Sequence, residues 1–111
     1  MRPNNVAILS AANAAVNQTS KTISCLQVFR ISAQALFSSA TLNGSLQLQV
    51  SNDPQIDTPS NWINLGNAVT VTSGASVLIP YQEICFRWVQ IVWTANSGTG
   101  TITINFMSLG A

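Results

Sequence analysis

Histidine is absent from the sequence, and charged side chains are scarce. Four Lys or Arg and three Asp or Glu residues make up 6% of the 111 residues, whereas an ordinary soluble domain has about 25%. Without histidine the most common general base and metal ligand is missing, and no catalytic motif is visible. We therefore expect a protein that is not an enzyme and that holds no cofactor and no metal.

The scarcity of charge also excludes several classes of partner. The formal net charge is +1 and the basic residues are scattered along the chain, whereas nucleic-acid-binding proteins cluster Lys and Arg. No apolar run approaches the ~20 residues of a membrane-spanning helix. Hydrophobic residues nevertheless make up 47% of the chain, which excludes a disordered polymer. We expect a folded domain that does not bind nucleic acid and does not span a membrane.

The few carboxylates form no convincing site. Asp53 and Asp57 share one loop, whereas a glycosidase needs two carboxylates that flank a bond. Asn52, Asp53 and Asp57 could supply oxygens to a calcium ion, but their spacing matches no calcium motif. We expect Asn52 and Asp53 to stabilise the turn before Pro54 instead.

Cys25 and Cys85 are the only cysteines, and both fall within apolar runs. Buried free thiols behave as small hydrophobic side chains, which is the interpretation we favour. A disulfide between two sheets is the alternative, and the sequence leaves it open.

Apolar and polar residues alternate with a period of two, which is typical of strands with one buried face. The alternation is clearest over residues 45–51 and 101–106. It also predicts one long strand over 22–36 and further strands over 61–65, 68–72, 76–80 and 84–95.

Turn residues separate these predicted strands. Asn43-Gly44 is a strong hairpin signal, Ser73-Gly74 predicts a tight turn, and Gly98 and Gly100 can accept positive φ in the loop before residue 101. Short strands at regular spacing predict an all-β chain that folds as an antiparallel, jelly-roll-like β-sandwich.

The first 20 residues are polar and rich in alanine, and we predict that residues 1–20 are an N-terminal arm on a β-sandwich domain at 21–111. Their pattern fits a strand and also a helical stripe, so their conformation stays open. The patch from Val6 to Leu9 is too short for the core of a signal peptide, so we expect the segment to be retained. Such an arm docks onto its own domain or onto a neighbouring subunit.

The predicted strand 84–95 is apolar on both faces, although a strand of a small sandwich normally exposes one face to water. One face packs in the core, and the other needs a loop, the arm or another subunit to cover it. We therefore predict that Arg87, Trp88 and Trp93 of this strand, together with Val6, Ile8 and Leu9 of the arm, contact neighbouring subunits.

A second interpretation concerns carbohydrate. Trp62, Trp88, Trp93 and Tyr81 could offer rings for stacking on sugars, supported by the abundant Asn and Gln. Trp88 and Trp93 have opposite parity on their strand, however, and cannot lie on one platform. This carbohydrate- or receptor-binding module is the alternative to an assembly role.

Four segments follow one another in a distinctive order: GSLQLQVSNDP at 44–54, NWINL at 61–65, FRWVQIVWT at 86–94 and SGTGTITINF at 97–106. This order resembles a pattern in small β-sandwich structural proteins of bacteriophage particles. The resemblance covers about residues 28–106. It implies a non-enzymatic virion protein of the minor capsid, vertex (penton) or decoration type, made in the host cytoplasm, whose partners are further copies of itself and other virion proteins.

Overall fold

The computed structural model of the chain describes residues 3–24, 28–53, 61–83 and 86–110. These residues form ten strands, and no helix occurs among them. The strands are β1 (Pro3–Asn13), β2 (Gln18–Thr19), β3 (Ile23–Ser24), β4 (Val28–Phe37), β5 (Asn43–Ser51), β6 (Ile63–Asn64), β7 (Val69–Val71), β8 (Val77–Glu83), β9 (Trp88–Ser97) and β10 (Thr101–Gly110).

The strands form two antiparallel sheets that pack face to face. The first sheet has the order β1-β10-β4-β8, and the second has the order β2-β9-β5-β6, with β3 beside β9 and β7 beside β5. If β2 and β3 count as one strand, and β6 and β7 as another, the orders become 1-8-3-6 and 2-7-4-5. This is the strand order of a jelly roll of two Greek keys, so the predicted antiparallel β-sandwich is confirmed.

The core lies between the sheets and follows the period-two pattern. Ile31, Ala33 and Ala35 of β4 are buried, and so are alternate residues of its neighbour β10. In the second sheet Leu46 lies opposite Trp93 on the inner face, and both are buried. The residues that alternate with these buried ones along each strand point outward, because successive side chains of a strand lie on opposite faces.

One predicted strand is two strands in the structure. The sequence predicted a single strand over 22–36, whereas Ile23–Ser24 pairs with β9 in the second sheet and Val28–Phe37 pairs with β10 and β8 in the first. Both pieces turn their apolar residues toward the same core, so the parity of the pattern continues from one sheet to the other. The alternation of apolar and polar residues alone therefore could not show that the chain passes from the second sheet to the first between β3 and β4.

The hairpin predicted at Asn43-Gly44 is also wrong. Both residues lie inside β5, and the strand before them belongs to the other sheet. A Cβ at position 44 would lie 2.5 Å from Cη2 of Trp93. Glycine is therefore needed here so that the indole can pack against the backbone.

Two other turn predictions are confirmed. Ser73 and Gly74 both have positive φ, 55° and 60°, in the tight turn between β7 and β8. Gly98 has a φ of 92° and Gly100 one of 147° in the loop between β9 and β10. This loop connects the two sheets, because β9 belongs to the second and β10 to the first.

The N-terminal segment includes an edge strand. β1 pairs with β10 from Pro3 opposite Leu109 to Asn13 opposite Thr101, with two irregularities in register. The Lys21 amide also donates to the Ile8 carbonyl at 3.0 Å and ties β1 to the second sheet. The open choice between strand and helix is thus resolved as strand for residues 3–13. A separate arm at 1–20 on a domain at 21–111 stays a prediction.

Candidate subunit-contact surfaces

Trp93 lies in the core of the chain itself. Its exposed fraction is 0%, its Nε1 donates to the Ala14 carbonyl at 2.9 Å, and its ring centroid lies 5.1 Å from that of Phe37. The indole therefore joins the second sheet to the turn after β1. Because the ring has no exposed surface in this conformation, the subunit contact predicted for Trp93 has no support from its burial and stays a prediction.

Trp88 and Arg87 form a corner at the start of β9. Trp88 is 9% exposed, and its Nε1 donates to the Asp53 carbonyl at 2.9 Å. The Arg87 guanidinium carbon lies 5.4 Å from the centroid of the Trp88 ring, a cation–π distance. The Arg87 amide donates to Asn52 Oδ1 at 3.0 Å, while the side-chain Nε of Arg87 is buried and has no hydrogen-bond partner among the described residues. Of the predicted contact residues Arg87, Trp88 and Trp93, only Arg87, which directly precedes β9, thus keeps a partly exposed side chain.

The three predicted contact residues of the arm have different environments. Ile8 is 1% exposed and belongs to the core, so its predicted contact with a neighbour does not fit this conformation. Leu9 is half-buried and packs against the core. Val6 pairs through its backbone with Phe106, and its side chain lies outside the described residues. A role in subunit contacts stays a prediction for Val6, Leu9 and Arg87.

The outer face of the second sheet carries amides that bind one another. Gln90 Nε2 donates to Gln49 Oε1 at 2.7 Å, and Gln49 Nε2 donates to Asn64 Oδ1 at 3.0 Å. Gln47 Nε2 donates to the Leu65 carbonyl at 3.3 Å. These bonds cross from β9 over β5 to β6 and the residues after it. They hold the face in a fixed arrangement and use much of its hydrogen-bonding capacity within the chain.

The outer face of the first sheet carries exposed apolar side chains instead. Leu36 of β4, Leu78 of β8 and Met107 of β10 are 38%, 60% and 42% exposed. This face was not predicted from the sequence. The alternating pattern does contain a sign of it. Leu36, Leu78 and Met107 each occupy a position whose side chain points outward, whereas the neighbouring outward positions hold polar residues such as Gln34 and Asn105.

The other predictions about sites concern small clusters. The Asp53 amide donates to Ser51 Oγ at 3.1 Å, whereas Asn52 Oδ1 accepts from the distant Arg87 amide. Pro54 lies outside the described residues, so the role of Asn52 and Asp53 in the turn before it stays a prediction. Asp57, Cys25 and Cys85 lie outside the described residues. Within the described ranges, no three His, Cys, Asp or Glu side chains group as they would around a metal ion. The same part of the chain contains no helix that is long and apolar enough to cross a membrane.

The sequence matches no protein-family model and no curated protein, but the fold matches solved structures. The PBSX exported protein XepA superposes with a TM-score of 0.70 at 15% identity, over 97% of this chain and 37% of XepA. The SPBc2 prophage-derived protein YomS superposes with a TM-score of 0.62 at 10% identity, over 97% of this chain and 95% of YomS. This chain thus spans little more than a third of XepA but nearly all of YomS.

Two further structures show how widely the fold is used. Infectious bursal disease virus, Gx strain, matches with a TM-score of 0.54 at 10% identity, over 96% of this chain and 31% of the viral chain. A chitosan-binding module of a chitosanase/glucanase from Paenibacillus sp. IK-5 matches with a TM-score of 0.54 at 19% identity, over 92% and 74% of the two chains. At such identities the likeness shows a shared fold and leaves function to other arguments.

Proposed function

We propose that the protein is a non-enzymatic structural component of a virus particle, specifically of a bacteriophage. It assembles through contacts with further copies of itself and with other virion proteins, as a minor capsid, vertex or decoration subunit. Its location is then the virion.

The observation that carries this proposal is the match with YomS over nearly the whole of both chains, since YomS is prophage-derived. XepA, a PBSX exported protein, has the same fold over 97% of this chain. The segments 44–54, 61–65, 86–94 and 97–106 resemble phage structural proteins in sequence order, which is a separate source of support.

The composition agrees with an assembly role. Ser, Thr, Asn and Gln make up 42 of the 111 residues, whereas only 7 residues are charged. Charged residues are depleted at the cores of protein interfaces because their burial costs desolvation energy. A surface of uncharged polar groups can be covered by neighbours at a lower cost.

A carbohydrate- or receptor-binding module is the second candidate, favoured by the match with the chitosan-binding module. The aromatic residues do not support it. Trp93 is buried in the core, Trp88 is 9% exposed, and Trp62 is half-buried, so they form no open row of rings. The side chain of Tyr81 lies outside the described residues.

The test is to purify particles from a lysate of the producing bacterium and to quantify this protein in them by mass spectrometry. We expect a fixed copy number per particle that persists through density-gradient banding. If the protein stays in the soluble fraction while particles form normally, the structural role is wrong. Specific binding of that soluble protein to a glycan array would then support the module.

A further inference from the structure

We propose that the outer face of the first sheet is the contact surface between two copies of this chain, packed face to face about a two-fold axis. The inference rests on the proposed assembly function and names the surface and the partner that it uses. The surface is defined by Leu36, Leu78 and Met107 and by the polar side chains between them, and we call it the β1-β10-β4-β8 face.

The β1-β10-β4-β8 face has a shape that can receive side chains. A groove of about 160 Å³ runs between Leu78 and Met107. Its lining consists of Ser32, Ala33, Gln34, Leu78, Asn105 and Met107. The apolar residues form the walls of the groove, while the hydroxyl and amide groups offer hydrogen bonds, which is the combination typical of protein interfaces.

The opposite face of the sandwich is different. On the second sheet the outward residues Ser51, Trp88 and Gln90 are buried by the chain itself, at 3%, 9% and 8% exposure. Gln90 and Gln49 bind each other through their side-chain amides. Of the five large hydrophobic residues that are exposed among the described side chains, three lie on the β1-β10-β4-β8 face, one on β6 and one after β1. The outer face of the first sheet is therefore the best candidate for a surface that is buried in a protein contact.

The charge of the face fits a second copy better than a charged partner. Arg30, near one end of β4, is the one charged side chain among those described on this face, and it lies opposite Glu83 in the register with β8. In a two-fold contact the same patch meets itself. A patch with charge of one sign would repel its own copy, whereas an almost uncharged patch pays no such penalty.

The area of the face is sufficient. Four strands at a spacing of about 4.8 Å, with about ten residues each, give a surface roughly 19 Å wide and roughly 30 Å long. Each copy would contribute roughly 600 Å², so the contact would bury roughly 1,200 Å² in total, the lower limit for a stable specific interface. The face is therefore large enough for a specific dimer.

The experiment compares two Asp variants of the purified chain by sedimentation equilibrium across a range of concentrations. Leu78→Asp places a carboxylate on the face, opposite the same charge on the second copy. Ile63→Asp is the matched control, because Ile63 is 70% exposed and lies on β6 of the second sheet. We expect a dimer for the unaltered chain and for Ile63→Asp, and an increase of the dissociation constant by at least about tenfold for Leu78→Asp.

Circular dichroism and thermal unfolding of both variants show whether the fold is retained, which we expect because both positions are exposed. The inference is overturned if the unaltered chain is monomeric at about 100 μM, if its mass is that of a larger closed ring, or if both variants dissociate equally. A monomer that is nevertheless present in purified particles overturns the inference and leaves the proposed function standing. A dimer that depends on Leu78 but is absent from particles supports the inference about the surface and overturns the proposed function.

Discussion

At the scale of single residues, the face of the strand on which a side chain lies decides whether it is buried in the core or lies at the surface. The apolar pattern placed Trp93 correctly on one face of β9 and Trp88 on the other, but it could not show which face points to the core. A tryptophan at a surface cannot be distinguished in the sequence from a tryptophan in a core, because both can occur next to apolar residues. The contact at Trp93 stays a prediction, although its ring has no exposed surface in this conformation, and the exposed apolar side chains lie at isolated positions such as Leu78.

The two indoles allow a direct comparison of a buried and a partly buried hydrogen bond. Trp93→Phe leaves the Ala14 carbonyl without its donor inside the core and opens a small cavity. We expect it to lower the free energy of unfolding by about 2–4 kcal/mol. Trp88→Phe removes a similar bond to the Asp53 carbonyl, which is only partly buried, and we expect about 1 kcal/mol. Urea unfolding followed by circular dichroism measures both, and equal losses would contradict the assignment.

At the scale of elements, long strands were predictable and their partners were not. Strands β5 and β10 occur where alternation is clean, because each has one face in the core and one in solvent. β6 and β7 are shorter than the predicted strands at 61–65 and 68–72, since each pairs with only part of β5. Sheet membership depends on contacts between distant parts of the chain, and a local pattern contains no information about those contacts.

β1 is the element whose role differs most from its appearance in the sequence. Because Ile8 is 1% exposed, we expect Ile8→Ala to lower the free energy of unfolding by about 2–4 kcal/mol. The control, Leu78→Ala, removes an equally large group from an exposed site and should cost less than about 0.5 kcal/mol. Thermal or urea unfolding checks the pair. If Ile8→Ala has no more effect than Leu78→Ala, residues 3–13 are a detachable arm and do not stabilise the sandwich.

At the scale of the whole molecule, the low charge sets the response to salt. With 7 charged residues in 111, association of the chain has little electrostatic energy to lose by screening. We expect the dissociation constant of the proposed dimer to change by less than about twofold between 50 and 500 mM NaCl. Ammonium sulfate should tighten the dimer, since it strengthens the burial of apolar surface. Sedimentation in both salts checks this, and marked weakening in NaCl would indicate contacts between charges.

The position of β10 also affects how the chain folds during its synthesis. β10 lies between β1 and β4 in the first sheet, yet it follows the other nine described strands in the sequence. While residues 101–110 are still inside the exit tunnel of the ribosome, β1 and β4 have no strand between them. Such an incomplete sheet exposes strand edges and apolar surface, which favours association between nascent chains. We expect the emergence of β10 to complete the first sheet and to end this exposure.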